Sequence, residues 1–195
     1  MTEKDLRRKL TTVFSADVAG YSRLMCRDED TTVITFRTYR DIISKFVEGH
    51  GGRVVDAIGD NLLAEFSCAK DAVACGWAIQ KALYSRNMGL PLNKRMYFRI
   101  GINFGEVIED DGRLYGTAVN IAARLESMAN PGEICISLAV FERVQSLLSL
   151  HFEYLGTYDV KNICRKVEVY RICTAENADH RDSVAMDWLA YREPA

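Results

Sequence analysis

The sequence has little proline, little histidine and no long apolar run. Its 195 residues include only three prolines and three histidines, and the histidines are too scattered to indicate a nucleophile–base triad. No apolar segment approaches the roughly 20 residues that a membrane-spanning helix requires, and the charged N-terminus lacks the apolar segment of a signal peptide. We therefore expect a cytoplasmic protein with no membrane span in this chain.

Six cysteines are present, but their spacing matches neither a CxxC motif nor a zinc site. No pair has CxxC spacing, and none lies beside a histidine in a zinc-like arrangement. The net charge of −2 argues against a nucleic-acid module that relies on a broad basic surface, so we expect no nucleic-acid partner. A composition of 48% hydrophobic and 27% charged residues is typical of a globular chain.

Hydrophobic periodicity predicts alternating strands and helices over most of the chain. Gly59 and Asp60 separate two strand-like runs, which indicates a hairpin with an acid at its tip. The predicted order gives an α+β fold with a mixed sheet, ferredoxin-like at its centre, and with helices packed mainly on one face. The predicted strands are 11–18, 53–58, 61–66, 96–110, 133–137, 152–159 and 167–172, and the predicted helices are 1–10, 30–47, 69–87, 117–128 and 138–148.

The segment after Cys173 is set apart from this pattern. Val184, Trp188 and Tyr191 recur in it at helical spacing. We interpret residues 174–195 either as a short amphipathic helix that docks on the domain or on a partner, or as a partly ordered terminus.

Two acidic residues lie where apolar strands end. Asp17 ends the first apolar strand, and Asp60 lies at the tip of the hairpin. If these strands are neighbours, the two carboxylates meet at one edge of the sheet and repel each other unless a divalent cation lies between them. The pair therefore indicates a Mg²⁺ or Mn²⁺ site with few protein ligands. Each acid alone also fits a structural role, Asp17 as a helix N-cap and Asp60 as a turn residue.

The predicted helix 117–128 carries a polar pair on its flank. Asn120 and Arg124 are i,i+4 neighbours, roughly 90° around the helix from its apolar stripe. An amide can hold a sugar oxygen, and a guanidinium can stabilise charge on a phosphoryl group. The alternative is a solvent-exposed helix face that binds nothing.

Five blocks of sequence together carry a specific resemblance. In chain order they are TTVFSADVAGYSRLM, GGRVVDAIGDNLLAEF, RIGINFGEVIEDDGRLYGTAVNIAARLE, PGEICIS and YDVKNI. They cover about residues 10–172 and resemble the successive blocks of the class III nucleotidyl cyclase catalytic domain. The resemblance implies the class III cyclase fold, with residues 1–173 as the catalytic domain.

The same resemblance implies a homodimer with two active sites at its interface, each built from both chains. Asp17 and Asp60 match the two metal-binding aspartates of the family, and the Val18 carbonyl matches a further ligand. The implied cofactors are two divalent ions, Mg²⁺ or Mn²⁺, in each active site. In such enzymes the aspartates come from one chain and the Asn–Arg helix comes from the other.

The substrate implied by the resemblance is a nucleoside triphosphate. Asn120 matches the asparagine that orients the ribose, Arg124 the arginine that acts on the transition state, and Lys161 the lysine that holds the distal phosphates. The implied reaction forms a 3′,5′-cyclic nucleotide and pyrophosphate by a two-metal mechanism. It requires no protein nucleophile, in agreement with the absence of a triad.

Two positions depart from the pattern of adenylate-forming members. Those usually have a lysine three residues before the Gly-Asp pair and an aspartate three residues before the glycine that opens the helix. This chain has Asp56 and Arg113 there. Asp56 offers only acceptors and Arg113 only donors, a set that suits uracil or guanine better than adenine or cytosine. The alternative is that Asp56 and Arg113 pair with each other and read no base.

The sequence therefore predicts a nucleotidyl cyclase whose base is not adenine. Arg113 is longer than aspartate and favours a smaller base. Some class III members are pyrimidine cyclases that signal in bacterial defence against phage, and they also lack the purine-reading pair. We therefore favour UTP as substrate and cUMP as product. Two alternatives stay open: a cyclase that uses ATP or GTP, and a dimerising module without activity.

Overall fold

The computed structural model describes residues 7–159 and 166–173. Within these ranges the chain forms eight β-strands and five α-helices, with a 3-10 turn at Leu92–Lys94. The strands are β1 (Arg7–Val18), β2 (Gly52–Ile58), β3 (Asn61–Phe66), β4 (Phe98–Asp110), β5 (Arg113–Tyr115), β6 (Ile134–Ser137), β7 (His151–Asp159) and β8 (Lys166–Cys173), and the helices are α1 (Tyr21–Arg27), α2 (Glu29–Gly49), α3 (Ala69–Met88), α4 (Thr117–Met128) and α5 (Leu138–Val144).

All eight strands belong to one mixed sheet. Its order is β2-β3-β1-β4-β6-β8-β7, and the short β5 pairs with β4 as a hairpin. β4 and β6 are parallel, whereas the other paired strands are antiparallel. The predicted α+β class with a mixed sheet is therefore confirmed. None of the helices within the described ranges is long and apolar enough to cross a membrane.

The two faces of the sheet carry different helices. Phe14 and Ala16 of β1 belong to a large apolar core that also contains buried side chains of α2, α3 and α5. Val13, which points to the opposite face because side chains alternate along a strand, packs against Ala118 and Ala122 of α4. The prediction of helices mainly on one face is confirmed, and α4 packs against the other face.

The first predicted helix is wrong where the structure describes it. Residues 7–10 extend β1 and pair with residues 106–109 of β4. Cross-strand ion pairs explain the difference, since Arg8 contacts Glu106 at 2.7 Å and Lys9 contacts Glu109 at 3.0 Å. The charges that indicated a short charged helix instead pair with those of β4, which is distant in the sequence but adjacent in the sheet.

The prediction also missed β5. This strand has only three residues, too few for a periodicity to be visible. Its turn did carry a signal, because Asp111 and Gly112 both have positive φ (49° and 75°), as Asp-Gly does in two-residue hairpin turns. The residues that follow this turn include Arg113, so the missed strand bears on the candidate site.

Candidate active site

The fold brings Asp17 and Asp60 together at one edge of the sheet. β1 and β3 are antiparallel neighbours, with Ala16 opposite Leu62, so the end of β1 lies beside the β2–β3 turn. Asn61 reinforces this arrangement by donating a hydrogen bond from Nδ2 to Ser15 Oγ at 3.2 Å. The hairpin and the meeting of the two acids thus lie where the sequence predicted them.

The Asp17 carboxylate disfavours the charged form of Asp60. Burial, the charge of Asp17 and a hydrogen bond between the two side chains raise the pKa of Asp60 to about 6. A hard divalent cation relieves such repulsion, and carboxylate oxygens with a backbone carbonyl such as that of Val18 suit Mg²⁺ or Mn²⁺. The donor set therefore fits the ions that the family implies.

Protein ligands for such ions are few. Within residues 7–159 and 166–173, no group of three or more His, Cys, Asp or Glu side chains is arranged to hold a metal ion. Asp17 and Asp60 would thus leave several coordination positions for oxygen atoms of a substrate, as Mg²⁺ sites that bind phosphates do.

Arg99 and Glu126 complete the charged cluster, and the sequence analysis missed both. Arg99 lies opposite Asp17 in the β1–β4 register, and its Nη2 contacts Asp17 Oδ2 at 2.5 Å and Glu126 Oε1 at 3.1 Å. Glu126 is only 4% exposed. Burial and the charge of Asp17 raise its pKa to about 7, against the opposing effect of Arg99. A glutamate four residues after the buried Ala122 was the available signal.

Helix α4 lies directly on β4 through a glycine contact. A Cβ at Gly101 would lie 2.1 Å from the Ala122 carbonyl oxygen and 2.2 Å from the Glu126 backbone nitrogen. Near the start of the helix, Asn103 Nδ2 donates to the Ala118 carbonyl at 3.0 Å. These contacts fix the height and rotation of α4 on the sheet.

The same packing leaves Asn120 and Arg124 exposed on the outer side of α4. Among the described residues, neither side chain forms a hydrogen bond or an ion pair with Asp17 or Asp60. Helix geometry explains why Arg124 lies apart from the acids. Glu126 faces Asp17 and Asp60, and it follows Arg124 by two residues, which is about 200° around the helix. Within one chain, Asp17 and Asp60 therefore lie apart from Asn120 and Arg124.

Asp56 and Arg113 lie side by side. Arg113 Nε is 3.9 Å from Asp56 Oδ2, and their side chains are 61% and 27% exposed, respectively. Asp56 also accepts a hydrogen bond from the Ala57 backbone nitrogen at 2.9 Å. Asp56 and Arg113 thus pair with each other in this structure, as the alternative expected. Their role in reading a base stays a prediction.

Two predicted features lie outside the described residues. Lys161 falls between β7 and β8, and the proposed docking segment falls in residues 174–195. The assignment of Lys161 to the distal phosphates and the interpretation of the terminal segment stay predictions.

Comparison with known proteins decides the family. The sequence pattern of the adenylate and guanylate cyclase catalytic domain matches residues 4–174. The chain belongs to this family. It is 35% identical over 188 residues to putative adenylate cyclase 3 of Rhizobium meliloti, a match that covers 96% of this chain and 32% of that protein. The chain thus spans about a third of the length of this curated relative.

Solved cyclase structures share the fold. An adenylate/guanylate cyclase/hydrolase from Silicibacter pomeroyi is 39% identical with a TM-score of 0.82, covering 87% of this chain and 99% of its own. An adenylyl cyclase from P. aeruginosa is 26% identical with a TM-score of 0.76 (88% and 97% covered). A guanylyl cyclase is also 26% identical, with a TM-score of 0.72 (86% and 93% covered). These two solved structures, one an adenylyl and one a guanylyl cyclase, are equally identical to this chain.

Proposed function

We propose that this cyclase-family chain converts a nucleoside triphosphate into a 3′,5′-cyclic nucleotide and pyrophosphate. One observation carries the proposal: Asp17 and Asp60 converge at a sheet edge where burial and mutual repulsion raise the pKa of Asp60 to about 6. Such an arrangement is unfavourable for stability alone and favourable for holding a cation. The Asn120 and Arg124 positions of the family are retained as well.

The proposed mechanism assigns the cations to the acids and the sugar to the helix. Asp17, Asp60 and the Val18 carbonyl would hold two Mg²⁺ or Mn²⁺ ions, which when bound would make the ribose 3′-hydroxyl more acidic and neutralise the departing pyrophosphate. The 3′-oxygen attacks the α-phosphorus in line. Asn120 fixes the ribose for that attack, and Arg124 stabilises the charge that develops on the phosphoryl oxygens.

The separation of Asp17 and Asp60 from Asn120 and Arg124 supports a homodimer with two interfacial active sites. Glu126 faces the acids within one chain, so Arg124, about 200° away around the helix, points away from them. A second copy of the chain supplies the missing half, and symmetry then makes two such sites. Lys161 is proposed to hold the distal phosphates.

For the base we propose uracil, with UTP as substrate and cUMP as product. Arg113 and Asp56 form a partly exposed pair at 3.9 Å, and exposed pairs contribute roughly 0–1 kcal/mol. A base can therefore separate them at little cost, placing donors and acceptors against the N3–H and carbonyl groups of uracil. A pyrimidine product is consistent with cytoplasmic signalling in defence against phage. An ATP or GTP cyclase is the alternative.

Product identification tests this proposal. Purified protein is incubated separately with ATP, GTP, CTP and UTP in the presence of Mn²⁺, and cyclic products are identified by mass spectrometry. We expect cUMP to dominate and Asp60→Ala to form no product. Dominant cAMP or cGMP would refute the base assignment and leave a purine cyclase. No product from any of the four would contradict catalysis and favour a non-catalytic dimerising module.

A further inference from the structure

Arg53 of β2 lies at the centre of an ion-pair network that crosses four strands. Its guanidinium contacts Glu65 Oε1 through Nη2 at 2.6 Å and through Nε at 2.9 Å, and it contacts Glu109 Oε1 at 3.1 Å. Lys9 Nζ contacts the same two carboxylates at 2.9 and 3.0 Å. Lys9 and Arg53 thus each contact both carboxylates, whose side chains are only 13% and 19% exposed. Arg7 Nη1 also lies 4.0 Å from Glu109 Oε2.

The two cations Lys9 and Arg53 stabilise the ionised form of Glu65. Burial tends to raise the pKa of Glu65, but hydrogen bonds from Lys9 and Arg53 outweigh burial and hold the pKa below its usual value. Arg53 is thus held in a defined orientation by charge-assisted bonds rather than free in solvent.

The remaining nitrogen of Arg53 reaches the β4–β5 turn. Nη1 donates a hydrogen bond to the Gly112 carbonyl oxygen at 2.9 Å. β2 pairs with β3 while β5 pairs with β4, so this bond joins β2 to a turn with which it shares no backbone ladder. Gly112 directly precedes Arg113, and Arg53 precedes Asp56 by three residues on β2.

We propose that Arg53 is a positioning residue that holds Arg113 opposite Asp56 and thereby sets base selectivity. The part of this proposal that concerns base selectivity rests on the proposed function, since it assumes that the Asp56–Arg113 pair reads the base. Arg53 links the strand that carries one member of the pair to the turn that places the other. A small change in that link alters the distance between the acceptor and donor sets that a base would meet.

The chemistry of the link requires an arginine. A planar guanidinium donates to Glu65, Glu109 and Gly112 at once, whereas a lysine ammonium keeps the charge but lacks the fixed arrangement of donors. Arg53→Lys therefore preserves the positive charge but weakens the link to the turn. Arg53→Gln removes both the positive charge and the link. Arg8→Gln is the matched control, because Arg8 forms a cross-strand pair with Glu106 on the same sheet but does not touch the turn.

Two readouts test the proposal on the full chain. Hydrogen exchange, followed by mass spectrometry on peptides covering residues 108–116, reports the turn directly. We expect exchange at least about threefold faster in Arg53→Gln, an intermediate rate in Arg53→Lys and the wild-type rate in Arg8→Gln, since a lost link raises the open population. The second readout is kcat/KM for the four nucleoside triphosphates, in which the preference for the best base should fall about three- to tenfold, mainly through KM.

The outcomes separate this proposal from the proposed function. Unchanged exchange in both Arg53 variants overturns the positioning role whatever the enzyme does. Faster exchange with an unchanged nucleotide ranking overturns the link to selectivity. If wild-type protein turns over no nucleotide, the proposed function and the selectivity part fail together, while the exchange data still decide whether Arg53 holds the turn. If Arg53→Gln does not fold, Arg53→Lys carries the test.

Discussion

Replacement of Gly101 by alanine should displace the helix that carries Asn120 and Arg124. The new Cβ would lie 2.1 Å from the Ala122 carbonyl oxygen and 2.2 Å from the Glu126 nitrogen. Both are backbone atoms, so no side-chain rotation relieves the clash. Because ordinary contact begins at 3.4 Å, β4 and α4 must separate by about 1.3 Å in a tightly packed interior.

The size of that displacement sets the expected loss. Overpacking of this kind typically costs about 1–3 kcal/mol, which corresponds to a fall in Tm of roughly 2–12 °C for a domain of this size. A shift of about 1 Å in groups that position a substrate can cost about 100-fold in rate. We therefore expect Gly101→Ala to fold, to melt earlier and to lose about 100-fold in kcat/KM. Circular dichroism and initial rates measure the two effects.

Gly76→Ala is the matched control. Gly76 lies in α3 on the other face, where a Cβ would meet only side-chain atoms, Phe14 Cε2 at 3.3 Å and Ile134 Cδ1 at 3.4 Å. Alanine also favours a helix over glycine by about 1 kcal/mol, so we expect unchanged activity and an equal or higher Tm. If Gly101→Ala kept both the activity and the Tm of the wild type, the close packing of α4 on β4 would be refuted.

Two further predictions concern charge. Glu126 has a folded-state pKa raised to about 7, so the unfolded chain ionises first and stability falls as pH rises from about 4.5 to about 7. Glu126→Gln should therefore be more stable than wild type at pH 8, by at most about 3 kcal/mol, and equally stable near pH 4. Urea unfolding at both pH values measures this difference, and equal stability at pH 8 would contradict the raised pKa of Glu126. Asp56→Lys combined with Arg113→Asp should shift the nucleotide preference towards ATP. Each single change should give lower kcat/KM for ATP than the pair, because it leaves two like charges facing each other. A double-mutant cycle measured with all four nucleotides should give a coupling of roughly 0.5–3 kcal/mol. An unchanged ranking would remove the support for UTP.

The sequence was sufficient for elements with strong local periodicity. Helices 30–47, 69–87 and 117–128 were predicted within about two residues of α2, α3 and α4, since each shows an apolar stripe over several turns. The start of β1 was not predictable in this way. Residues 7–10 are charged, and only β4, roughly a hundred residues away, supplies the partners that make them a strand.

The candidate site follows the same division. The meeting of Asp17 and Asp60 could be predicted because each ends an apolar strand or lies in a hairpin turn. Arg99 acquires its contact with Asp17 only from the β1–β4 register, which no local pattern encodes. The bond from Arg53 to Gly112 likewise depends on how two hairpins pack together.

Mixing two inactive variants tests the central claim most directly, namely that two chains share each cyclase active site. Asp60→Ala removes an acid proposed to bind the metal ions, and Arg124→Ala removes the residue proposed to act from the other chain. In a heterodimer one site carries both changes and the other carries neither. Equal amounts, denatured and refolded together, should recover about a quarter of wild-type cyclic-nucleotide formation, because half of the dimers are mixed and each has one intact site. If affinity tags verify that mixed dimers are present and these dimers form no product, the shared site is contradicted.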